Sequence, residues 1–299
     1  MKKRFISAQV SEIFDMNALE LKNSIKASEG RVICSENVAA RDSNVGEVSN
    51  SEIARAFGAD LILLNGFDVF DPQVSAIEGE AQETIHILRQ YVGRPIGANL
   101  EPVDLEAEMS EVRDIISLGR QANKETLAEA KKLGLDFVCL TGNPGTGVTN
   151  SAIVKAITVA KEEFGGLIIA GKMHGAGVDE AVVDMEAVKA FVKAGADVIL
   201  VPAVGTVPGF DVSDLKAVVK VVHEAGALVM SAIGTSQESS DADTIKQIAI
   251  QNKICGVDIQ HIGDAGYSGI APVENIMAMS KAIRGNRHTI AMVAKSIRR

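Results

Sequence analysis

The chain has 299 residues, 46% of them hydrophobic, 23% charged and 4% aromatic, with 27 glycines. That composition describes a folded protein rich in small and β-branched side chains, and excludes disordered, collagen-like and disulfide-scaffold classes. A net charge of −9 argues against nucleic acid or an anionic membrane as partner, since both bind through basic surfaces.

The start, MKKRFISAQVSEIF, turns acidic soon after its basic residues and lacks the apolar block of a secretion signal. No apolar run approaches the roughly 20 residues that span a bilayer, so a cytoplasmic protein is expected. Ser11 to Ser28 reads as a helix ahead of the repeating part of the chain. From there a pattern recurs: a helix-like segment, a glycine, then a short apolar run. The glycines are Gly30, Gly58, Gly93, Gly134, Gly166, Gly195, Gly226 and Gly256, spaced by 28 to 41 residues. A residue just past a helix often turns left-handed, which glycine does without steric cost.

The first run, RVICSEN, brings Ser35, Glu36 and Asn37 to its end, and VAARDSNVGEVSNSE after it is long enough to act as a lid, a simple surface excursion being the equal alternative. The second, ADLILLNG, ends at Asn65 with Asp68 beyond; the third, RPIGANLEP, carries Asn99 and Glu101. The fourth, LDFVCLTG, leads through Thr141 and Asn143 into the flexible TGNPGTGVTN. In the fifth, LIIAGKMH, side-chain alternation gives Lys172 and His174 a common side, and Asp179 to Ala194 then keeps helical spacing. The sixth, ADVILVPA, precedes Thr206 and an amphipathic segment with Val212, Leu215, Val219 and Val222 in register. Asp211 and Ser239 to Asp243 supply helix-start chemistry. ALVMSAIG and VDIQHIG complete the set.

Runs apolar through their middles without strict alternation are those of parallel strands covered on both faces. Eight such units with right-handed crossovers close into a (β/α)₈ TIM barrel. The expected layout is one domain: an N-terminal helical cap over residues 1–29, the barrel over 30–284, and an extended basic C-terminal helix over 285–299. Lys281, Arg284, Arg287, Lys295, Arg298 and Arg299 make that end basic, as in a solvated helix or a subunit contact; a homo-oligomer is compatible with it. Cys34, Cys139 and Cys255 lack CxxC spacing and sit in or beside apolar runs, as buried reduced thiols do. An open doubly wound sheet is the other fold for such units, but no GxGxxG follows the first strand, so no nucleotide cofactor is expected.

In such barrels chemistry gathers at the strands' C-terminal ends. Lys172 and His174, with Glu36 and Glu101, are the candidate catalytic groups, Lys172 as a charge anchor or a Schiff-base amine. The glycine- and hydroxyl-rich loops after strands seven and eight, with Gly234, Thr235, Ser236, Gly263, Ala265 and Gly266, suit a phosphate or similar anion on backbone N–H groups. Asn65, Asn99, Thr141, Asn143 and His261 are candidate substrate contacts. Glu36, Asp68, Glu101 and Asp264 could converge on Mg²⁺, which needs several oxygens.

GFDVF, KMHGAG, AIGTSQ, HIGDAGY and ENIMAMSKAIRG together resemble a bacterial (β/α)₈-barrel family often labelled haloacid-dehalogenase-like hydrolase or phosphonomutase-like. The resemblance spans essentially the whole chain and implies the barrel without bringing a reaction with it. Dehalogenase-type chemistry uses DxDx(T/V) after the first strand, where CSENVAA stands here, and the near match Asp241-Ala242-Asp243-Thr244-Ile245 opens a helix instead. The expectation is a barrel enzyme acting on a small phosphorylated or carboxylated metabolite by lyase, aldolase-type or isomerase chemistry. The alternatives are an Mg²⁺-dependent phosphonomutase or isocitrate-lyase-like enzyme, and a non-catalytic metabolite-binding barrel.

Overall fold

Seven of the eight marked glycines take positive φ, from 63° at Gly93 to 122° at Gly58. The exception is Gly166, whose predecessor Gly165 (φ 81°) makes the turn instead. The computed structural model describes residues 3–299. Each turn feeds a strand: β1 (Val32–Val38), β2 (Leu61–Asn65), β3 (Ile96–Leu100), β4 (Phe137–Leu140), β5 (Leu167–Gly171), β6 (Val198–Pro202), β7 (Leu228–Ile233) and β8 (Ile259–Ile262). All pair in parallel with their sequence neighbours, and β8 closes on β1 through Val32↔Ile259 and Cys34↔His261, giving a closed eight-stranded barrel.

Strand alternation sorts the apolar side chains into two cores. Leu61, Leu63, Phe137, Cys139, Leu167, Ile169 and Met230 fill the barrel, while Ile62, Leu64, Val138, Leu140, Ile168 and Ala170 meet the surrounding helices. The interior is tight: a Cβ on Gly97 would lie 2.3 Å from the Phe137 ring. The cysteines are free and buried, and burial pushes the Cys34 and Cys139 thiols well up.

The outer helices are α3 (Asn50–Phe57), α4 (Thr84–Val92), α5 (Lys124–Lys132), α6 (Asn150–Glu163), α7 (Met185–Ala194), α8 (Val212–Glu224), α9 (Ala242–Cys255) and α10 (Val273–Ala294). Asp211 caps α8, accepting from the Ser213 and Asp214 amides, and Asp241 caps α9 through Asp243 and Thr244. The DADTI segment is thus a helix start. Helix α7 begins six residues later than its apolar spacing suggests, because Asp184 caps it and residues 179–184 belong to the loop from β5.

Before β1 lie two short helices, α1 (Val10–Phe14) and α2 (Ala18–Lys26), where one was expected. Phe5, Ile13, Leu21 and Ile25 join the interior core, so this segment plugs the end of the barrel at which the strands begin. At the other terminus α10 breaks at Gly285 (φ 70°, ψ 169°) and packs on α3 and α9. Its Arg284 is buried, not solvated: Nη1 lies 2.5 Å from Asp60 Oδ2 at the start of β2. No helix among the described residues is long and apolar enough to cross a membrane.

Candidate active site

The strand ends open on a cavity of about 550 Å³. Its floor is a continuous run of polar side chains. His261 Nε2, fully buried below the cavity, is hydrogen-bonded to Glu36 Oε2 at 2.9 Å, and Asn99 Nδ2 donates to Glu36 Oε1. Asn99 also donates to Asn65 Oδ1 (3.3 Å), and Asn65 and Asn143 exchange amide hydrogen bonds at 3.0 and 2.9 Å. From Asn143 the run passes to Glu101, which accepts the Asn143 Nδ2 and backbone N–H groups and the Arg120 guanidinium at 2.8 Å. Strands β8, β1, β3, β2 and β4 are thereby tied together beneath whatever binds.

Asp264, from the loop after β8, hangs on this network by accepting from Asn65 Nδ2 at 2.9 Å. Burial, and then the neighbouring Glu36 carboxylate, push its carboxyl up to about 7, against the pull of the Asn65 hydrogen bond. A buried carboxyl beside others keeps its proton because each further negative charge costs more in a poorly solvated wall.

Strand β5 ends at Gly171, whose φ is 149° and whose Cβ, if present, would lie 2.0 Å from Leu200 O. Lys172 continues the outward parity of Ile168 and Ala170. It is buried outside the cavity and bonded to Glu180 Oε2 at 2.6 Å, while Glu180 also accepts the first amide of α6, that of Asn150. His174 comes back to the cavity because the strand has already ended. Its Nδ1 accepts the Ala176 amide at 3.1 Å, which leaves Nε2 to carry the proton, and burial lowers its pKa, so it is a neutral hydrogen-bond donor. Alternation gave the two residues one direction; the structure separates them. Replacing Lys172 by Met is expected to lower stability by about 1–2 kcal/mol, since Glu180 is a third exposed and can rehydrate. Borohydride reduction in the presence of pyruvate should leave Lys172 unmodified by mass spectrometry; an adduct there would return it to the chemistry.

Gly234, Thr235, Ser236, Gly263 and Ala265 line the cavity, whereas Gly266 does not. The anion expected on these loops meets a carboxylate already in place: buried Glu238, from a single 3₁₀ turn (Gln237–Ser239), accepts the Ala265 amide at 2.9 Å. The Gly263 amide is spent on Ile233 O. Thr235 and Ser236 hold left-handed φ of 56° and 70°, as does Ala176 (52°) on the opposite loop. Each costs on the order of 1 kcal/mol, and such strain concentrates where backbone is shaped for a ligand.

Of the oxygens considered for Mg²⁺, Glu36 and Asp264 reach the cavity. Glu101 is consumed by Arg120 and Asn143, and Asp68 accepts the Phe70 and Asp71 amides in a turn. Among the described residues no three His, Cys, Asp or Glu side chains gather as a metal site. Asn65, Asn99, Thr141 and Asn143 all line the cavity, and His261 supports it from below.

Of the two readings of the loop after β1, the surface excursion is the one the structure resembles. Residues after β1 turn towards the β8 loop, with Asn50 Nδ2 donating to Ser268 O at 2.7 Å. The long β3–α5 connection crosses the mouth instead: the Ser110, Asp104 and Asp114 amides bond Gly177 O, Gly147 O and Gly145 O, and Ser110 and Glu111 join the wall. Sequence reasoning missed Glu238, Glu111 and Met173, all wall residues. For Glu238 the signal was present, an acid inside the otherwise hydroxyl-rich TSQESS.

Fold and site together define a (β/α)₈ barrel whose mouth is lined by the carboxyl groups of Glu36, Glu111, Glu238 and Asp264. The chain belongs to the family described as Domain of unknown function (DUF7916), whose model matches residues 6–299. Comparison with curated proteins gave no match. Among solved structures it is similar to dihydrodipicolinate synthase from Oceanobacillus iheyensis, with 13% identity, 90% of this chain and 79% of that one covered, and a TM-score of 0.51. It also matches phosphoenolpyruvate phosphomutase from Streptomyces platensis subsp. rosaceus, at 14% identity, 82% and 80% coverage and a TM-score of 0.48. A 2,3-dimethylmalate lyase of the PEP mutase/isocitrate lyase superfamily matches at 13%, 82% and 80%, and 0.49. At these identities the likeness is one of fold.

Proposed function

We propose that this protein is an enzyme of lyase or isomerase type that moves a proton to or from carbon in a small metabolite bound at the barrel mouth. The observation that carries this reading is Asp264, a carboxyl on the cavity wall that ionises at about 7. A group that titrates near the working pH is both a competent base and a competent acid. Asp264 would take the proton from a carbon next to a carbonyl. His174, neutral and donating through Nε2, would meet the oxygen on which negative charge develops. Glu36, locked between Asn99 and His261, cannot rotate, and is suited to orienting the substrate while Asp264 exchanges the proton.

The test is solvent exchange. Incubation in D₂O with a panel of small carbonyl and hydroxy metabolites should incorporate deuterium into at least one of them, read by mass spectrometry. Asp264→Asn and His174→Ala should each slow that exchange by about 10²–10⁴-fold while circular dichroism stays unchanged. Exchange that survives both substitutions, or none across the panel, would defeat the reading.

A further inference from the structure

Asp264 stands on the loop after β8, past the last residue of the strand, and its carboxyl takes one hydrogen bond, from Asn65 Nδ2 at 2.9 Å. A base that must meet a particular C–H bond needs a backbone that does not drift. Here that backbone is held on both sides of Asp264. The Gly263 amide is bound to Ile233 O at 2.9 Å, and the Ala265 amide donates to Glu238 Oε1 at 2.9 Å. The same oxygen lies 2.6 Å from where a Cβ on Gly263 would stand, so any larger residue there would push the carboxyl off the Ala265 amide.

Glu238 is itself braced from outside the cavity. The 3₁₀ turn that carries it closes through Gln237 N to Gly234 O and Ser239 N to Ser236 O, both at 3.1 Å. Asn275, buried in the first turn of α10, donates its Nδ2 to Glu238 O at 2.8 Å and to Ser240 O at 2.7 Å. A continuous path of hydrogen bonds thus runs from α10 through Glu238 to the residue after Asp264. The other carboxyl oxygen, Oε2, is buried with no donor, which costs the fold about 1–3 kcal/mol. A side chain kept at such a cost serves the site rather than stability. We propose that Glu238 is the positioning residue of the proton transfer: it fixes the Gly263–Ala265 backbone and so the place at which the Asp264 carboxyl meets the substrate carbon. The inference rests on Asp264 as the acid/base group and adds the residue that aims it.

Glu238→Gln offers the same oxygen to the Ala265 amide, Glu238→Ala removes it, and Asn275→Ala loosens the turn from outside the cavity. In the D₂O exchange assay Glu238→Gln should keep kcat within about tenfold of the parent. Glu238→Ala should lower it about 10²-fold with KM little changed, the cost of displacing a reacting group by about 1 Å, and Asn275→Ala about tenfold. Amide hydrogen exchange, read by mass spectrometry on the peptide that carries Ala265, should speed up in Glu238→Ala and Asn275→Ala and stay at the parental rate in Glu238→Gln. Should Glu238→Ala fail to fold, Asn275→Ala carries the same two comparisons. The inference is overturned if Glu238→Gln is as slow as Glu238→Ala, since the carboxyl would then act on the substrate itself. It is equally overturned if Glu238→Ala keeps the parental kcat, or if the Ala265 peptide exchanges alike in all four proteins. Slowing by Asp264→Asn but not by Glu238→Ala would leave the catalytic reading standing and remove this one. No metabolite exchange in the parent, with the Ala265 peptide loosened in Glu238→Ala, would remove the catalytic reading and reduce Glu238 to a brace of the fold.

Discussion

Asp264→Asn is expected to yield a protein more stable than the parent above neutral pH and about 10²–10⁴-fold slower in proton transfer. In the unfolded chain an aspartate ionises near 3.9, whereas in the folded protein this carboxyl keeps its proton to about 7. Between about pH 4 and pH 7 the folded state therefore binds one more proton than the unfolded state. Stability must fall as pH rises through that window and level off above it. Asparagine removes the dependence and keeps an oxygen for Asn65 Nδ2. The full displacement would correspond to roughly 4 kcal/mol; since the carboxyl is not sealed from water, a gain on the order of 2 kcal/mol at pH 8 is expected, vanishing near pH 4. Thermal unfolding at the two pH values measures it directly. Equal midpoints for variant and parent at pH 8 would make Asp264 an ordinary carboxylate and take the acid/base role from it.

That trade of stability for a titrating group explains why the site was less legible in the sequence than the barrel. The barrel was written in a backbone requirement, glycine at the left-handed turn between helix and strand, which acts locally and so survives as a residue type at a given place. Even its one slip, Gly166 for Gly165, moved a boundary by a single residue. The polar residues Asn65, Asn99, Thr141 and Asn143 line one cavity because a closed parallel barrel brings all its strand ends to the same mouth. Their directions were another matter. Alternation predicts a shared side for Lys172 and His174 only while the strand lasts, and Gly171 ends it. Likewise TSQESS and HIGDAG read as loops offering backbone amides, and that Glu238 takes the Ala265 amide is a contact between residues 27 apart that no local pattern encodes.

The basic C-terminus shows the same limit at the other end of the barrel, and there the largest loss of stability is expected. Arg284 is sealed, with its side chain 1% exposed and that of its partner Asp60 2%. Beyond Asp60, its Nε donates to Ser280 Oγ at 2.9 Å and its Nη2 to Gly58 O, while Asp60 Oδ2 also receives the Ile33 amide at 2.9 Å. The guanidinium thus joins α10 to the turn before β2 and, through Asp60, to β1. Arg284→Met would leave the Asp60 carboxylate buried with a single amide, and breaking such a pair from one side costs about 3–5 kcal/mol. For a chain of this length that lowers the unfolding midpoint by on the order of 10 °C. Adding Asp60→Asn, which removes the stranded charge and can still accept from Ile33, should recover a large part of the loss, so the double-mutant cycle reports coupling well above the roughly 0.5 kcal/mol of independent sites. Calorimetry of the four proteins decides it. Additive losses, or a single-variant cost below about 1 kcal/mol, would mean that Arg284 is replaceable packing and that the terminal helix is free to serve as a contact surface.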